Sequence, residues 1–136
     1  MKNLLLVLTI SSFTFSCTKP VEKPAVSISH YSQQVVQINE VVNKLMNEQD
    51  VKVMNFMAAG VEETRAIGCD AIGEECNAYY EFINKVVNLT KDGELSEGDR
   101  QILVGLQDRV RTELKKSDEK IQQQWKDYIN SGNKAE

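Results

Sequence analysis

Residues 103–128 read LVGLQDRVRTELKKSDEKIQQQWKDY, and their apolar letters return at a helical interval. Leu103, Leu106, Val110, Leu114, Ile121, Trp125 and Tyr128 fall on one stripe, with Ser117 as a polar gap within it. One helix of about 30 residues is expected here, about 45 Å long at 1.5 Å per residue.

Working outward, helix signals recur and strand signals are nearly absent. From Tyr31 the stripe continues at Val35, Ile38, Val42 and Leu45, widened by Val36, Val41 and Met46. The polar run Asn47-Glu48-Gln49-Asp50 interrupts it, and a second stretch continues through Val53, Met54, Met57 and Val61 toward Ile67. These are one bent helix or two, with Asp50 the candidate N-cap of the second. Tyr79, Phe82, Ile83, Val86 and Val87 form a further stripe. The expectation is an all-α fold: a small bundle of three to four amphipathic helices over residues 31–130, one domain with one modest core. Residues 131–136 are expected to form a disordered tail.

The N-terminus carries a different message. MKNLLLVLTISSFTFSCTKP has a short positive start at Lys2 and an apolar run from Leu4 to Ile10 that is too short to span a bilayer. It reads as an export signal over residues 1–16. Ser16 and Cys17 place a small residue before a cysteine, and in this the segment resembles bacterial lipoprotein precursors. Thr14 and Phe15 stand where that class usually has an aliphatic and a small residue, and ordinary cleavage after Ser16 is the alternative. The resemblance implies diacylation of Cys17, cleavage before it, and anchoring to a membrane through the lipid. Lys19 replaces the Asp that marks inner-membrane retention in enteric bacteria, so the outer membrane is the implied address. Residues 17–30 hold both prolines together with Lys, Glu and Ser, the composition of a flexible tether.

Three cysteines in an exported chain call for an explanation. With Cys17 consumed by lipid, Cys69 and Cys76 remain as an even pair in an oxidising space. A continuous helix from 69 to 76 would hold their Cα atoms about 10 Å apart, beyond disulfide reach. A bond therefore requires a break, which Gly68 and Gly73 offer, with Glu74 and Glu75 suited to a following helix N-terminus. A disulfide-stapled interhelical turn is expected, stabilising by on the order of 2.5 kcal/mol. Two free thiols across the same break are the alternative. Zinc lacks ligands, since the single His is His30, and redox chemistry normally shows C-x-x-C.

NLTKDGELSEGD, residues 88–99, resembles the calcium loop of an EF-hand. The resemblance implies Asn88, Thr90, Asp92, the Glu94 carbonyl, Ser96 and Asp99 as ligands. Only Asp92 and Asp99 are first-shell acids in that register, and Asp99 stands in place of the usual bidentate Glu. The same letters fit a plain turn: Asp92-Gly93 stops one helix, and Ser96 with Asp99 makes an approximate capping box for the next.

Catalytic signatures are scarce. The chain has no G-x-S-x-G, no phosphate-cradling glycine loop and no H-E-x-x-H, and its single His lies in the tether. Glu62-Glu63 and Glu74-Glu75 are adjacent acids that point apart on a helix, a poor basis for an acid-pair hydrolase. The net charge of −4 becomes −5 once a leader carrying only Lys2 is removed, and there is no basic patch, which argues against nucleic acid as a partner. The leading expectation is a membrane-anchored, non-catalytic interaction or structural module that meets an envelope protein, needing no cofactor. A weak calcium-binding helix-loop-helix is the alternative, and an acid-pair hydrolase a remote one.

Overall fold

A computed structural model describes residues 19–64 and 76–135. The described chain is all helical, with four helices: α1 (Ile28–Asn47), α2 (Val51–Thr64), α3 (Asn77–Thr90) and α4 (Glu97–Asn130). No helix among the described residues is long and apolar enough to cross a membrane. The signal segment, Cys17, Gly68, Cys69, Gly73, Glu74 and Glu75 lie outside the described residues.

Residues 31–64 form two helices, and the polar run explains why. Glu48 leaves the helix with an extended backbone, and its carboxylate accepts from the amides of Gln49 and Asp50. Asp50 then caps α2, its Oδ1 accepting from Lys52 at 2.8 Å and Val53 at 3.3 Å. Two short polar side chains thus satisfy backbone donors that a continuous helix would have paired internally. α2 packs chiefly on α3, α3 on α4 and α1 on α4, while α1 and α2 touch only slightly. The core runs between them, with Tyr31, Ile38, Leu45, Met54, Tyr79, Phe82, Ile83 and Leu103 almost fully buried.

α4 is the spine, and its two halves have different partners. The polar bridge from Asn43 to Gln107 and Arg111, the Tyr31 hydroxyl on the Leu114 carbonyl, and the Trp125 indole on the Val26 carbonyl set α1 antiparallel to it over most of its length. α3 runs antiparallel to its first half, tied by the Glu81–Arg109 ion pair. The buried stripe on α4 is Leu103, Gln107, Val110, Leu114, Ser117, Ile121 and Trp125. Two polar residues therefore sit in the seam, and Leu106 only borders it. On α1, likewise, Gln34 is buried whereas Val36 is 54 % exposed. The helical period decides which positions face inward, and a residue off that face stays out even when it is apolar.

The stretch read as a tether takes part in the fold at its end. Ser27 caps α1 by accepting the His30 amide at 3.1 Å, so the helix begins three residues before Tyr31. The Val26 carbonyl accepts the Trp125 indole N–H at 3.0 Å, and the Lys23 ammonium lies 5.9 Å from the Trp125 ring centroid. At the other end of the chain Gly132 takes a left-handed φ of 92°, which stops α4, and the Asn133 side-chain Nδ2 donates to the Tyr128 carbonyl at 3.1 Å.

Candidate functional site

Three places on the molecule are candidates for a functional site: the α3–α4 corner, the groove beside it, and the outer face of α2. The corner holds the calcium-like stretch. α3 continues through Thr90, so Asn88 and Thr90 are helical residues and not loop ligands. The Thr90 hydroxyl is buried and donates to the Val86 carbonyl at 2.6 Å. Asn88 Oδ1 accepts from the Lys91 ammonium at 3.0 Å. Asp92 and Glu94 are exposed in the turn, and Gly93 closes it with φ 80°, its backbone N–H donating to the Thr90 carbonyl at 3.1 Å.

Ser96 and Asp99 are used by the backbone. Ser96 Oγ accepts the Asp99 amide at 3.1 Å, and Asp99 Oδ2 accepts from the Ser96 amide at 3.0 Å and from its hydroxyl at 2.7 Å. That is a reciprocal capping box at the start of α4. The Ser96 hydroxyl and amide, helped by Lys85, hold the Asp99 carboxyl below its ordinary range against a small opposing effect of burial. The six residues named for calcium are thus spread between a helix end, a turn and a cap. Among the described residues no three His, Cys, Asp or Glu side chains gather as a metal site. Glu62 and Glu63 are neighbours in the last turn of α2, pointing roughly 100° apart.

Comparison with known proteins adds no family. No protein-family model matches the chain, and no curated protein or solved structure matches it either.

The groove between α3 and α4 has a polar wall and an apolar one. α3 contributes Asn77, Tyr80, Asn84 and Lys85, and α4 contributes Ile102 and Leu106. Ile102 is 45 % exposed. Sequence periodicity overlooked this wall because it ranks residues by apolarity, and asparagines on an outward face leave no mark in such a ranking.

The outer face of α2 carries the most exposed large apolar side chain among the described residues. Phe56 is 80 % exposed and Val53, one turn earlier, 41 %. Gly60 follows one turn later with open space where a side chain would project. Behind this face lies a polar anomaly: the Tyr79 hydroxyl and Asn55 Oδ1 are buried and have no hydrogen-bond partner among the described residues. Burial, and secondarily the neighbouring Tyr80, push the Tyr79 phenol well above the ordinary tyrosine range. Cys76, at the start of α3, is buried in the core.

Proposed function

We propose that the chain is a lipid-anchored, non-catalytic helical module of the bacterial cell envelope that binds a protein partner through the outer face of α2. The observation that carries this reading is Phe56. A phenylalanine left in water forgoes roughly 1.5–3 kcal/mol that burial would supply, and Val53 and the bare ledge at Gly60 extend the same face. Aromatic anchors of this kind dominate protein interfaces.

The anchor belongs to the same proposal. Acylation of Cys17 holds the domain at the membrane, the outer one on the reasoning from Lys19, and pairing of Cys69 with Cys76 staples the turn between α2 and α3. The test is affinity capture from envelope membranes, comparing the wild-type protein with Phe56→Ala and Phe56→Arg. A discrete partner retained by wild type and lost from both variants, with melting temperatures unchanged, supports the reading. Equal recovery with all three proteins removes α2 as the docking face. A Cys17→Ser protein that still partitions with membranes in detergent phase separation removes the anchor independently.

A further inference from the structure

We propose that the groove between α3 and α4 is a binding site for a neutral oligosaccharide. The α3 side of it is an amide row: Asn77, Asn84 and Asn88 share one face with Glu81, at steps of four, three and four. Asparagine is a poor helix former because its side chain competes for backbone hydrogen bonds. Near a helix end this choice is easily explained. Asn77 stands in the first turn of α3, and Asn88 near its end pairs with Lys91. Asn84 has no such account. It sits in mid-helix, exposed, and its amide makes no hydrogen bond among the described residues. A locally unfavourable choice with no hydrogen bond to offset it among the described residues is what a binding position would leave.

The chemistry of the walls narrows the ligand. A primary amide offers two donors and an acceptor in one plane, which suits neighbouring hydroxyl and acetamido groups on a ring edge. Opposite stand Ile102 and Leu106, and Tyr80 adds an aromatic surface beside the amides. A pyranose ring has this same division, with an apolar C–H face and polar edges. Charge does not favour an ionic ligand: Glu81 is tied to Arg109, and Lys85 lies close enough to Asp99 to influence it. An extended peptide would want a free backbone edge, which two helices do not present. The groove encloses about 630 Å³, a size typical of small-ligand clefts. It is open and shallow, so binding is expected in the millimolar to high micromolar range.

The test uses nitrogen-15 spectra of the soluble chain, residues 19–136, titrated separately with chitotriose, maltotriose and an uncharged extended tripeptide. The site is supported if one saccharide shifts the side-chain amides of Asn84 and Asn88 saturably while the peptide does not. Asn84→Ala should then weaken that saccharide about tenfold, without lowering the melting temperature, because Ala is the better helix former. Tyr80→Leu, which keeps apolar bulk but loses the aromatic face, should weaken it as well. No saturable shift with either sugar, shifts produced by the peptide alone, or an affinity unmoved by Asn84→Ala overturns the proposal. These outcomes are independent of whether Phe56 binds a partner or Cys17 carries lipid.

Discussion

The phenol of Tyr79 and the carboxyl of Asp99 are opposite cases of one rule, that a polar group in a fold must find its partner. Tyr79 is 1 % exposed and its hydroxyl is unpaired among the described residues. An unsatisfied buried hydroxyl costs about 1–3 kcal/mol. Tyr79→Phe should therefore leave stability unchanged or raise it by about 1 kcal/mol, measured by urea unfolding; a loss above that would mean that the hydroxyl has a partner. Asp99 is satisfied twice by Ser96, and its carboxyl titrates lower in the folded chain than in the unfolded one. The contribution is thus present above the ordinary carboxyl pKa of roughly 4 and disappears as pH falls through the lower folded value. Asp99→Asn should lower stability in the neutral region and converge with the wild type in acid, so that this limb of the stability profile flattens. The capping box was legible from the spacing of Ser96 and Asp99, because a cap is a local event. The orphan at Tyr79 was not, because its environment is made by helices distant in the chain.

At the level of single helices, periodicity located the elements well and their seams less well. The stripe at Tyr79, Phe82, Ile83 and Val86 is buried as its spacing implies. On α4, Gln107 and Ser117 occupy positions that an apolarity count passes over. Gln107 enters the seam because Asn43 on α1 is there to meet it, at 3.4 Å, and Ser117 lies one turn beyond the carbonyl that Tyr31 engages. Neither pairing can be inferred from one helix alone. The start of α1 was obscured for a similar reason, since the value of Val26 lies in its carbonyl and depends on Trp125, 99 residues away. Trp125→Phe keeps an aromatic ring but removes the donor. It should cost about 1 kcal/mol and speed hydrogen exchange at the amides of His30 and Tyr31, while the amides around Val86 keep their protection.

For the whole molecule, the all-helical class and the helix-turn-helix at 91–96 were readable, whereas the grouping of helices was not. Short links constrain neighbours in sequence, but α1 against α4 is a long-range choice set by seam complementarity. The proposed Cys69–Cys76 link acts at this scale, because it would bind the α2–α3 half together when reduced seams loosen. Mass measurement with and without thiol reductant should show a two-dalton gain, and reduction should lower stability by on the order of 2.5 kcal/mol. An unchanged mass would leave two thiols at that turn.

The Val26–Trp125 hydrogen bond also sets a length. Val26 is nine residue steps beyond Cys17, which even fully stretched reach only about 30 Å. A domain moored by acyl chains at Cys17 would keep the Trp125 end of its spine inside that shell, with the Ser96 corner at most about 44 Å farther out along α4. Any companion would have to come within the sum of those two lengths of the bilayer surface to be met, and one set farther from the membrane would stay out of its range.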